Sequence, residues 1–171
     1  MSLKPEPIGP VPEETARIAR AAFPKGNLYL RLRDELGTLY QDDLFADLFP
    51  SRGQPAEAPW RLALVTIMQF LEGLSDRQAA EAVRSRLGWK YLLGLEPTDA
   101  GFHYSLLCEF QSRLLAGEAE HRLWRACCSR TLKLVAGSSS VSAKELTRLI
   151  SSLLFAVSIV SNSSGVRSSM L

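Results

Sequence analysis

Residues 59–91 read PWRLALVTIMQFLEGLSDRQAAEAVRSRLGWKY. Leu64, Ile67, Met68 and Leu71 recur at i, i+3, i+4 and i+7, which predicts one apolar face of a helix. Pro59 suits the first helical position, where the N–H it lacks has no intrahelical partner anyway. Gly73 is placed to end this helix, and Ser75 to cap the next one. The second helix would turn Ala79, Ala80, Val83 and Leu87 inward and carry Arg77, Glu81, Arg84 and Arg86 outside.

A helix, a tight turn and a second helix with exposed arginines is the outline of a DNA-binding helix-turn-helix. The pattern is short, and any small helical domain contains such a hairpin. Arg77 and Glu81 are also spaced as an ordinary surface i, i+4 pair.

The chain has 171 residues and a formal net charge of +2, so a basic footprint for nucleic acid would have to be local. Its three cysteines, Cys108, Cys127 and Cys128, have neither the spacing of a zinc site nor that of a disulfide framework. Cys108 falls in an apolar helical pattern and is expected as a buried small side chain. The N-terminus has no apolar signal core, and the run from Ile150 to Val160 is too short to span a bilayer. The expected compartment is a reducing cytoplasm, with no membrane partner.

Before the central stretch, residues 1–11 form a proline-rich arm. A helix is expected from Val11-Pro12-Glu13-Glu14 to about Phe23. Another, capped by Asn27, should place Leu28, Leu32 and Leu36 on one face and close at Gly37. A short helix capped by Asp42 or Asp43 should carry Leu44, Phe45, Leu48 and Phe49. Beyond it, Ser51 to Ala58 is a loop. After the central stretch, Trp89 and Tyr91 are expected in the core or at a hinge. Residues 97–101 form a loop. A final helix from about Tyr104 should bury Leu106, Leu107, Phe110 and Leu114 and pair Glu109 with Arg113. No strand-like alternation precedes residue 122. The expected fold is an all-α, multi-helix domain with a helix-turn-helix-like hairpin, followed by a poorly packed tail.

Three stretches carry a resemblance: TARIARAAFPKGNLYLRLRDELG, FADLFPSRGQPAEAPWRLALVTIMQFLEGLSDRQAAEAV and WKYLLGLEPTDAGFHYSLLCEFQSRLLAG. Together they resemble the N-terminal domain of a DDE-type transposase family of bacterial insertion sequences, over roughly residues 12–122. The resemblance implies a helical domain that binds the terminal inverted repeats of the element. It also implies a following RNase H-like domain with three metal-binding carboxylates and magnesium. The sequence departs from the family at Gly88, His103 and Gln111, and the last of these weakens the basic face of the final helix. Candidate DNA contacts are Ser75, Arg77, Arg84, Arg86 and Lys90. The alternative is a protein–protein module that holds transposase protomers together through its aromatics.

The resemblance stops after about Leu123. From there the chain is serine-rich, and Glu145 is its only acid. Joining the last base of each codon to the first two of the next gives a shifted reading. From Glu145 to Gly165 it permits T-D-S-T-H-I-L-A-A-V-R-G-V-N-R-L-E-L-V-G. Leu146 followed by Thr147 permits GAC, an aspartate codon. This peptide resembles the segment around the family's first catalytic aspartate. Residues 123–171 are therefore expected to be an out-of-frame tail. On that reading the chain has no catalytic carboxylates, no metal, no cofactor and no enzymatic activity of its own. An apolar helix around Ile150, Leu153, Leu154, Phe155 and Val157 is possible by composition but should find no groove. His103 and His121 are isolated, and no nucleophile or phosphate-loop motif is present.

Overall fold

The computed structural model describes residues 8–37, 40–50, 57–119, 121–123 and 125, with the side chain of Leu36 excepted. The expected tail helix, most of the 51–58 loop, Cys127 and Cys128 lie outside the described residues. The elements are α1 (Glu13–Ala22), α2 (Leu28–Leu36), a 3₁₀ helix (Asp42–Leu48), α3 (Pro59–Glu72), α4 (Asp76–Ser85), α5 (Leu87–Leu93) and α6 (Ser105–Ala116). Residues 121–123 are also helical, and no strand occurs among the described residues. The all-α expectation holds.

The central helix is α3. An apolar stripe was expected there, but the helix is buried on nearly every side, from Pro59 through Gln69 with only Arg61 partly exposed. The reason is its neighbours: α4, α6 and the 3₁₀ helix all lie against it. A helix enclosed in this way must satisfy its polar side chains internally. Thr66 donates to the Leu62 carbonyl at 2.8 Å, and the Gln69 amide donates to Asp76 at 2.7 Å. Met68, Val83 and Phe110 share one apolar core, which also holds Trp89, Phe45 and Leu107. The Phe45 and Phe110 rings meet edge to face at 5.6 Å.

Local signals set the helix ends. Gly73 sits at φ 65°, the left-handed conformation that closes α3 without a Cβ penalty. Ser75 and Gln78 form a reciprocal capping box at the start of α4. Ser75→Ala should therefore lower stability by about 0.5–2 kcal/mol, readable as a shift in the urea midpoint. A variant with an unchanged midpoint would show that α4 does not depend on this cap.

Four local expectations are corrected. In α2 the inward residues are Leu30 and Arg33, with Leu28 and Leu32 only half-buried, because α5 covers that side. Asp42 does not cap its own helix: Gln41 holds the N-cap position, and the Asp42 carboxylate accepts the Trp60 N–H at 3.1 Å, at the start of α3. Cys108 is exposed rather than buried, and its thiol donates to Asp76 of α4 at 2.9 Å. Glu81 pairs with Arg84 at 3.6 Å, while Arg77 turns to Tyr104.

The folded unit runs past Gly117. Ala119 and Leu123 are buried, the Tyr40 hydroxyl donates to the Leu123 carbonyl at 2.7 Å, and Arg122 grips Asp47 with two nitrogens. Ala119, Arg122 and Leu123 thus close the core against the 3₁₀ helix.

Candidate nucleic-acid interface

One face of α4 is built from Ala79, Ala80, Ala82 and Val83, all buried. The small alanines let α4 lie close to α3, and Gly101 approaches α4 closely as well. A Cβ on Gly101, at φ 67°, would sit 3.2 Å from Val83. The opposite face exposes Arg77, Gln78, Glu81, Arg84 and Ser85.

The structure brings four of the candidate contacts to the surface, in distinct settings. Arg77 lies over the Tyr104 ring at 4.8 Å, and its guanidinium also donates to the Tyr104 hydroxyl at 3.3 Å. Arg84 donates through Nε to the Ala100 carbonyl at 3.2 Å. These contacts hold the two side chains without cancelling the charge of Arg77. Arg86 is not part of α4. It stands in extended conformation between α4 and α5, ion-paired with Glu72 and stacked 5.6 Å from the Trp89 ring centroid. Ser75 is exposed, with its hydroxyl engaged by Gln78.

Lys90 is a correction. It is 4 % exposed, and its ammonium donates to the carbonyls of Pro97 at 2.6 Å and Asp99 at 2.7 Å. The side chain is inside because α5 begins anew at Leu87 rather than continuing α4, so Lys90 faces the 97–101 loop. It folds that loop instead of facing solvent.

Sequence reasoning missed the role of Glu72, which joins α2, α3 and α5. Its carboxylate accepts from the Tyr29 hydroxyl, from Arg86 and from Trp89 Nε1 at 3.2 Å. Burial pushes the Glu72 carboxyl up, but the bonds from Tyr29, Arg86 and Trp89 outweigh it and hold the group below its ordinary value. Burial, then the bond to Glu72, pushes the Tyr29 hydroxyl well up. Asp76 follows the same logic: burial raises it, and bonds from Cys108, Gln69 and Gln111 bring it below the ordinary range.

A carboxylate whose folded value is depressed adds stability that is present above its unfolded value and is lost as pH falls through the folded one. The melting temperature should therefore fall as pH drops through and below the carboxylate range. Glu72→Gln should melt lower than wild type at pH 7 and show a shallower acid loss. An acid limb identical to wild type would remove Glu72 from the network.

Among the described residues, no group of three or more His, Cys, Asp or Glu side chains could hold a metal ion, and no helix is long and apolar enough to cross a membrane. His103 and His121 are exposed and bonded locally, to Ser105 and to the Glu118 carbonyl.

No curated protein and no solved structure matches the chain. The family model described as a transposase domain (DUF772) does match, over residues 17–113, more than half of the chain. That span runs from α1 nearly to the end of α6 and includes the whole α3–α4 hairpin and its arginines. The chain belongs to this transposase domain family.

Proposed function

We propose that the domain binds the terminal DNA of an insertion sequence through the exposed face of α4, used as a helix-turn-helix recognition helix. One observation carries this reading. Arg77 and Arg84 stand exposed on α4, held from the side by Tyr104 and Ala100, while the opposite face is locked into the core. Guanidinium groups held in place by an aromatic and a carbonyl lose less freedom when they meet phosphates or base edges. Arg86 joins them once a phosphate competes with Glu72. Ser75 lies at the start of the same helix and can donate to a phosphate after leaving Gln78. Lys90 takes no part.

The rival reading, a multimerisation module built on aromatics, keeps the exposed Phe70 but not Trp89 or Tyr91. Trp89 and Tyr91 are 0 % and 1 % exposed within the protomer. A gel shift on the element's ends at several salt concentrations tests the DNA reading, with unrelated DNA of equal length as reference. Sedimentation tests the rival.

We further propose that the tail beyond Leu123 is read out of frame, so that catalysis is absent from this chain. The support is the permitted shifted peptide, in which the aspartate position falls across Leu146 and Thr147. DDE chemistry needs carboxylates that hold two metal ions to activate the nucleophile and stabilise the leaving oxygen. The nucleotide sequence past codon 122 decides this point. An uninterrupted transposase frame in the shifted phase supports the proposal, and stop codons in that phase overturn it.

A further inference from the structure

At the start of α3, a cavity of about 130 Å³ is lined by residues of α2, α3 and α5 together with residues 8–10, Asp42 and Ala58. Its polar lining comes from Arg33, Arg61 and Asp42, beside Trp60. A volume of that size is far above the roughly 10–15 Å³ that admits a single water.

Arg33 is the unusual member. It is 8 % exposed, yet it has no carboxylate partner among the described residues. Its guanidinium donates to the Gly9 carbonyl at 2.9 Å and to the Leu92 carbonyl at 3.4 Å, leaving three of its five N–H groups without a protein acceptor there. A buried charge is normally paired. A second guanidinium lines the same cavity. Arg61 reaches the same Trp60 ring, 5.2 Å from its centroid against 5.9 Å for Arg33. Burial lowers the Arg33 guanidinium from its usual value and the charge of Arg61 adds to that, while Tyr91 and Asp34 act the other way.

Two acids accompany the arginines, and both are occupied. Asp42 accepts the Trp60 N–H, and Glu57 holds Arg61 at 3.2 Å. The Arg61 side chain is 30 % exposed, so the cavity has a way in on that side.

We infer that this cavity is an anion site, in which Arg33 and Arg61 bind one phosphate group beside Trp60. Planar guanidinium forks match tetrahedral phosphate oxygens, and charge-assisted bonds of this kind are the stronger class. The phosphate could arrive as a free ion or as the phosphorylated end of a DNA strand. The site does not involve α4, and it stands whether or not α4 reads DNA.

The test titrates the full chain with inorganic phosphate at constant ionic strength, with chloride as the balancing salt. Melting temperature and tryptophan fluorescence are read. A saturable, phosphate-specific rise in melting temperature is expected. Arg61→Gln should weaken the apparent affinity roughly tenfold or more. Glu57→Gln, which frees Arg61 from its carboxylate, should tighten it. The Arg77/Arg84/Arg86 triple alanine variant should bind phosphate as wild type does. Competition by a 5′-phosphorylated oligonucleotide and not by its 5′-hydroxyl twin assigns the phosphate to a DNA end, and competition by neither assigns it to the free ion. No saturable rise, or equal affinity in wild type, Arg61→Gln and Glu57→Gln, overturns the inference.

Discussion

Phe110→Ala should lower stability by about 3–5 kcal/mol, with a melting temperature lower by on the order of 10 °C. Phe110 is 1 % exposed and meets Phe45 edge to face, in the same core as Met68 and Val83. Its removal opens a cavity at the place where α6 and the 3₁₀ helix meet α3, so the loss combines lost burial with a void that rigid neighbours cannot fill. Typical domains hold only about 5–15 kcal/mol in all. Leu115→Ala is the matching control, because Leu115 is 57 % exposed and should cost less than about 0.5 kcal/mol. A Phe110→Ala loss below about 1 kcal/mol would mean that α6 does not dock as described.

Lys90→Met separates a fold role from a DNA role. Methionine keeps most of the apolar stem but removes the ammonium that bridges Pro97 and Asp99. Two carbonyls then lose a charged donor, at a cost of about 1–3 kcal/mol. Asp99 also orders the loop from its side chain, accepting the Gly101 N–H at 2.7 Å, and Ala100 between them supports Arg84. The variant should thus be less stable, yet retain the salt slope of DNA binding at a temperature where it is folded. A stable variant with a reduced slope would return Lys90 to the DNA face.

The parts of the fold that could be read from sequence are those fixed by local chemistry. Asn27, Gly37, Gly73 and Ser75 act within a turn of their own position, so residue type and spacing identify their roles. Leu107, Phe110 and Leu114 of α6 likewise follow from periodicity, though Leu106, expected with them, is only half-buried, and Glu109 with Arg113 forms the expected pair at 2.6 Å. The buried charges could not be read this way. Arg33 and Lys90 donate to backbone carbonyls, which every residue carries, so no partner residue marks them in the sequence. Cys108 misled for the opposite reason: its neighbours are apolar, but one step around the helix brings it to Asp76. The end of α4 was also hidden. Arg86 looked like one more outer-face arginine, whereas its extended backbone breaks the helix and turns Lys90 inward.

The same distinction applies to the candidate site. Exposed arginines at helical spacing were visible, but their partners were not. Tyr104, Ala100 and Glu72 come from elsewhere in the chain, and they decide which arginines stand ready and which must first be released.

The most direct test measures the binding constant for the element's ends between 50 and 200 mM salt, an interval over which phosphate contacts weaken steeply, for wild type and for the Arg77/Arg84/Arg86 triple alanine variant. Both proteins are first shown to be folded by thermal melts. The account predicts that the variant binds more weakly and that its log–log salt slope is shallower by roughly one charge's worth per arginine engaged, with Arg84→Ala alone removing about one. Equal affinity and equal slope for the two proteins would contradict the assignment of α4 as the DNA-binding face.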